Sequence, residues 1–189
     1  MMNFKELKTG DIVIEHTKFR WNKPLTYLSL MIRIFQWLDV RKRMWARWNH
    51  SGVIYVSTTG VPYVIDAVAK GLTMRRYEVW TGYGRKEWMV IRPIGAELLP
   101  GDRKKMLDAV GTPYDFWALL TQAIHILTLG ILWIGPKGDK AIKKLYCSEF
   151  AAWVWKFMFK DWYKIHTAEL LSRIDFDVIE LDHNYGTEG

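Results

Sequence analysis

The sequence predicts an α+β domain in which an antiparallel sheet packs against helices. Three observations carry this expectation. Short β-branched runs at residues 12–15, 51–57, 61–68 and 87–93 are separated by turns containing Gly and Thr. Apolar residues recur at three- and four-residue steps over 25–38 and 148–159, the spacing of one helix face. No period repeats and no low-complexity linker interrupts the chain, so its 189 residues read as a single domain, 1–189.

Lys8-Thr9-Gly10-Asp11 forms a turn into the first strand, 12–15. The helix over 25–38 rests on Leu28, Met31, Ile32, Phe35 and Leu38, and a basic turn follows at 41–47. The strands at 51–57 and 61–68 flank Thr58-Thr59-Gly60, a hairpin signal. Residues 72–80 and 87–93 read as two more strands. Residues 100–110 read as a helix, with Asp102 near its start and Gly111 past its end. Residues 116–134 are almost continuously apolar until Gly135-Pro136-Lys137-Gly138 breaks the run, so 116–144 is expected to be an apolar helical insertion. Helices at 148–159 and 167–172 and a strand at 176–181 complete the chain.

Composition narrows the partners. Half of the residues are apolar and a quarter charged, which excludes a disordered chain, a collagen-like repeat and a disulfide-stapled miniprotein. Lys and Arg number 27 against 20 acids, a net charge of +7, and there are 11 Trp, 9 Tyr and 8 Phe. Basic and Trp-rich together point to an anionic membrane surface or to nucleic acid. No nucleic-acid motif supports the second, so no nucleic acid is expected. The first ten residues hold no apolar run of signal-peptide length. Cytoplasmic synthesis with peripheral membrane contact is the expectation.

Phosphate loops, the Gly-x-Gly-x-x-Gly fingerprint, His-Glu-x-x-His and Cys-x-x-Cys are absent from the sequence. No cofactor and no metal site is therefore expected. The chemistry that remains centres on the lone cysteine. Cys147 stands in Tyr146-Cys147-Ser148-Glu149, at the expected N-terminus of an amphipathic helix, where exposed amides and the helix dipole favour a thiolate. The bland alternative is a small buried hydrophobe. His50 opens the run His50-Ser51-Gly52-Val53, where a base at a strand end could project over that helix terminus. Its bland alternative is a histidine at a strand edge. Asp66 is an acid inside the apolar run Val64-Ile65-Asp66-Ala67 and requires a partner there. A three-residue hairpin loop with Gly60 left-handed pairs Gly52 with Asp66 and sets His50 diagonal to it on one face. A four-residue loop would put His50 on the opposite face.

Taken in order, Leu7-Lys8-Thr9-Gly10-Asp11, Asn49-His50-Ser51-Gly52, Val64-Ile65-Asp66-Ala67, Gly111-Thr112-Pro113-Tyr114 and Tyr146-Cys147-Ser148-Glu149 resemble the permuted papain-like cysteine amidases, the YiiX-type branch of the NlpC superfamily. The resemblance spans residues 7–150, and residues 167–171 with the closing strand match its C-terminal end. It implies a circularly permuted papain-like fold with Cys147 as nucleophile, His50 as base and Asp66 as the third polar residue. Tyr114 and Tyr146, from the two tyrosine-bearing segments, are the expected substrate contacts. The family commonly carries glutamate where this chain has the shorter Asp66. His50 precedes Cys147, the reverse of ordinary papain-like chains. An unpermuted arrangement would use His166 or His183, neither of which begins a His-x-Gly strand.

The activity this implies is cysteine-dependent amide hydrolysis through a thioacyl-enzyme, peptidoglycan peptides being one substrate class of the family. The alternatives are lipid-acyl hydrolysis or transfer at a membrane, and a non-catalytic membrane-binding module of the same shape. A single membrane span over 116–134 would separate His50 from Cys147 across the bilayer. That stretch is therefore expected to lie in the interface or to cover the site as a lid.

Overall fold

The computed structural model describes residues 7–16, 30, 33–34, 36–38, 44–82, 87–95, 97–128 and 131–181. Six strands form one antiparallel sheet: β1 (Ile12–Glu15), β2 (His50–Val56), β3 (Pro62–Val68), β4 (Gly71–Arg76), β5 (Trp88–Pro93) and β6 (Phe176–Leu181), in the order β4-β3-β2-β1-β5-β6. Short as it is, β1 holds the middle, pairing Ile12 with Val53 on one side and with Ile91 on the other. All four of its residues are buried, as a strand covered on both faces requires.

The alternation of side chains along the strands builds two cores. Ile12, Ile14, Val53, Ile65 and Ile91 face a layer that contains α4 (Cys147–Val154) and α5 (Thr167–Arg173). Val13, Ile54, Val64 and Val90 face Leu7, Tyr77 and Trp80. All eight residues of α4 are buried, and the helix lies against β2 and β3.

The β2–β3 hairpin has the three-residue register. The Ser57 N–H donates to the Val61 carbonyl at 2.9 Å, Gly60 is left-handed at φ 79°, and Gly52 stands opposite Asp66. Three other expectations are corrected. The strand expected over 72–80 ends at Arg76 and gives way to α1 (Tyr77–Gly82). Tyr77 and Trp80, three apart on that helix, are fully buried and meet Trp88 edge-on at 5.8 and 6.4 Å. Burial of two aromatics outweighs the local strand preference of the run. The helix expected over 148–159 stops at Val154, because the Trp155 indole turns away to donate to the Gly10 carbonyl at 3.1 Å.

The third correction concerns the apolar stretch. Within 116–134 the described residues are α-helical only over α3 (Phe116–Leu127), since the Thr128 hydroxyl donates to the Ile124 carbonyl and accepts the Leu132 N–H, and a 3-10 helix follows at Gly138–Lys143. The chain then folds back, with Trp133 packed between His125 and Tyr163 at 5.6 and 5.8 Å. Residues 100–108 form α2 (Pro100–Asp108). The helix expected over 25–38 and its basic turn lie mostly outside the described residues. Leu30, Arg33, Ile34, Gln36, Trp37 and Leu38 are helical within it. No helix among the described residues is long and apolar enough to cross a membrane.

Candidate active site

The site is assembled where the start of β2, the middle of β3 and the start of α4 converge. In the observed register His50 lies diagonal to Asp66, and its Nε2–H donates to Asp66 Oδ2 at 2.9 Å. The Cys147 thiol and the same ring shift each other's titration, and with Nε2 on Asp66 it is Nδ1 that is left for sulfur. Gly52 is what lets the two strands close. A Cβ there would lie 2.8 Å from the Ile65 carbonyl oxygen and 2.9 Å from Asp66 Cβ.

Asp66 is fully buried, so its charge has to be met by donors. Four side chains do so. Arg75 Nη2 lies 2.6 and 2.7 Å from its two oxygens, the Trp80 indole N–H donates to Oδ2 at 3.3 Å, and the Thr73 hydroxyl lies 3.3 Å from Oδ1. His50 is the fourth. Thr73 stands opposite Asp66 on β4, which sets Arg75 on the other diagonal from His50. The sequence reading did not find Arg75, Trp80 or Thr73. Continuing the hairpin register one strand further would have placed Arg75, whereas no local signal marks Trp80, because its helix was read as strand.

Charges alternate along this chain: Arg75, Asp66, His50, Cys147. Burial opposes a charged imidazole, but its hydrogen bond to Asp66 and its interaction with Cys147 outweigh it and raise His50 to about 10. Burial likewise pushes Asp66 up, and the His50 hydrogen bond followed by the Arg75 charge holds it below the ordinary carboxylate value. For Cys147, burial raises the thiol. The hydrogen bond and charge of His50, with the amides of Ser51 and Ser148 donating to sulfur, bring it below its ordinary 9.0. The resting pair these shifts favour is thiolate and imidazolium.

Two neighbours adjust the field around sulfur. Burial, with the charges of Asp115 and Cys147, lifts Glu149 well above its usual range despite the Tyr146 N–H it accepts. A neutral acid there spares the thiolate a second negative charge. Tyr114 is raised by burial and then by the Cys147 charge, which puts its phenol in the field of the thiolate. Tyr146 is placed differently. Its ring is in the core, and its hydroxyl donates to the Ile165 carbonyl at 2.9 Å with Gln122 Oε1 at 3.2 Å. Cys147 is itself buried, while the His50 side chain keeps 17% of its surface exposed, so His50 marks the open side. A cavity of about 500 Å³ lies at the other end of β2, lined by Lys8, Val56 and Trp155, remote from this cluster.

His16 hydrogen-bonds the Arg47 carbonyl through Nδ1, His125 meets the Leu132 carbonyl, and His166 caps α5 by accepting the Glu169 N–H. His183 lies outside the described residues. Among the described residues no three His, Cys, Asp or Glu side chains converge as a metal's ligand set would.

A six-stranded antiparallel sheet with helices packed on it, carrying a cysteine at a helix N-terminus, defines a YiiX-like papain-like α+β fold. The crystal structure of the metalloprotein yiiX from Escherichia coli O157:H7 superimposes with a TM-score of 0.50 at 18% identity, over 82% of this chain and 68% of that one. At that identity the likeness is one of fold. No protein-family model matches the chain, and no curated protein sequence does.

Proposed function

We propose that this protein is a cysteine-dependent amide hydrolase of the permuted papain-like, NlpC-type superfamily, with Cys147 as nucleophile, His50 as proton carrier and Asp66 as the group that orients His50. The observation that carries the reading is the His50 ring held between a buried carboxylate and the only thiol in the chain. A histidine kept merely for packing has no need of both partners, nor of an arginine behind the carboxylate.

The Cys147 thiolate attacks the amide carbonyl carbon, and the carbonyl electron pair moves onto oxygen. The Cys147 backbone N–H, in the first turn of α4 where amides lack partners within the helix, helps hold that oxyanion. When the tetrahedral adduct collapses, the C–N bond breaks and the imidazolium proton goes to the leaving amine. His50, now neutral, takes a proton from water as the water attacks the thioester. Thiolate and imidazolium are regenerated and the acid is released. His50 thus moves one proton in each half of the cycle, to the leaving amine and then from the attacking water.

The test is hydrolysis of peptide amides, beginning with peptidoglycan stem peptides, by the protein and by its Cys147→Ala and His50→Ala variants. Turnover lost by about 10³-fold or more in both, with a thioester-linked mass trapped on Cys147, supports the reading. Turnover that survives Cys147→Ala overturns it. A second reading, the same thioacyl chemistry on lipid-linked acyl groups, draws on the exposed apolar surface beside the site.

A further inference from the structure

The helix α3 turns an apolar arc to solvent. At 3.6 residues per turn Phe116, Leu120 and Leu127 fall within an arc of roughly 40°. This arc points outward: Leu120 is 50% exposed and Leu127 60%. Among its described side chains the inward side holds Ala118 with two polar residues, Thr121 fully buried and bonded to the Ala118 carbonyl, and Gln122 at the Tyr146 hydroxyl. Hydrophobic burial on folding cannot account for the apolar arc turned to solvent. The fold-back after α3 extends the same character, for Ile131 is 88% exposed while Trp133 is tucked beneath it.

Charge identifies the occupant. Residues 137–144 hold Lys137, Lys140, Lys143 and Lys144, all exposed, against one acid, Asp139. The segment ends at the start of α3, because Leu145, the residue after it, bridges Tyr114 and its carbonyl accepts the Asp115 N–H. Apolar side chains flanked by lysines match an anionic lipid surface, with acyl chains below and phosphates at the rim. A second copy fits poorly, since joining the same faces would oppose two lysine clusters in a chain of net charge +7. Twelve residues make α3 about 18 Å long, so it lies on a bilayer and does not span it.

We propose that the outward face of α3, continued by Ile131 and Ile134 and rimmed by the lysines of residues 137–144, docks this protein on anionic membranes. The docking stands independently of the chemistry at Cys147. Its consequence for catalysis rests on the proposed function: Phe116 lies 4.7 Å from the Tyr114 ring, the same tyrosine that senses the Cys147 charge. The site would then meet its substrate at the lipid surface.

Flotation of the full-length protein with phosphatidylcholine vesicles, with and without phosphatidylglycerol, tests this. The expected result is at least tenfold stronger binding when phosphatidylglycerol is present, weakened by added salt. Leu120→Glu with Leu127→Glu should reduce that binding at least tenfold. Lys140→Glu with Lys143→Glu should abolish the preference for phosphatidylglycerol, and circular dichroism should show both variants folded. Equal binding to both vesicles, no binding to either, or a stable dimer by light scattering that the leucine variant dissolves would overturn the proposal. Iodoacetamide labelling of Cys147 without vesicles reports separately on the thiolate, so a failure of docking and a failure of the hydrolase reading are told apart.

Discussion

Replacing Asp66 by asparagine keeps the shape of the side chain and an oxygen for the His50 N–H while removing the charge. In the intact protein the His50 ring is raised from 6.5 to about 10, equivalent to roughly 5 kcal/mol in favour of the imidazolium. The hydrogen bond to Asp66 is the largest contribution acting in that direction. Loss of a contacting opposite charge is worth about 1–3 pH units, so the His50 limb in Asp66→Asn should fall to about 7–9. With a weaker imidazolium beside it, the Cys147 thiol should titrate closer to its ordinary value. The assay is the rate of carbamidomethylation of Cys147 by iodoacetamide against pH, read by mass spectrometry. The intact protein should react well below pH 9.0, with a second rise near pH 10 as the imidazolium loses its proton. The variant should lose the low-pH reactivity. Arg75 then faces a neutral partner, and a stability loss of about 3–5 kcal/mol is expected, so the measurement is made where circular dichroism shows the variant folded. His50→Gln, which leaves the Asp66–Arg75 pair in place, should lose the low-pH reactivity as well. Superimposable profiles for the intact protein and both variants would refute the charge-relayed thiolate.

The other predictions concern stability and packing around the same residues. Gly52→Ala sets a Cβ within 3 Å of the Ile65 carbonyl and Asp66 Cβ, and should cost about 1–3 kcal/mol while slowing Cys147 labelling. An unchanged melting temperature would contradict the close strand approach. Trp80→Phe removes the indole donor to Asp66 but keeps an aromatic ring against Trp88. It should cost about 1–3 kcal/mol in urea unfolding, for the charged acceptor lost and the carboxylate left with fewer donors. The raised His50 contributes stability that is complete below 6.5 and lost as pH climbs through about 10, and the lowered Cys147 contributes stability that is complete above 9.0 and lost as pH falls through its folded value. Above both 6.5 and the folded Cys147 value, and below 9.0, the two slopes cancel, because one proton has only moved from sulfur to nitrogen. The melting temperature, relative to a variant with both His50→Gln and Cys147→Ala, should therefore be flat in that window and decline above 9.0.

The legible parts of this protein were those decided by near neighbours. Thr58-Thr59-Gly60 set a left-handed glycine at a fixed place, and the β2–β3 register followed, carrying His50 to Asp66. Arg75 belonged to the same logic one hairpin further on. It stayed hidden because the run from residue 72 was carried as strand through Trp80, where burial of Tyr77 and Trp80 makes a helix. Tyr146 shows the opposite limit. Sitting next to Cys147 in sequence says nothing of where its ring points, and the helix start turns it into the core.

By itself the sequence determined the α+β class, most strand positions and the pairing that brings a histidine to a carboxylate, since strand alternation and turn chemistry act over a few residues. Tertiary structure alone decided that β1 lies in the centre of the sheet, that Arg75 and Trp80 stand behind Asp66, and that α4 delivers Cys147 to His50. It also decided which way the apolar stretch faces. Periodicity reports that a helix has an apolar side, but which side meets the protein depends on what the rest of the chain offers it. Here Gln122 meets the buried Tyr146 hydroxyl from the inner side of α3, and Leu120 and Leu127 are left outside.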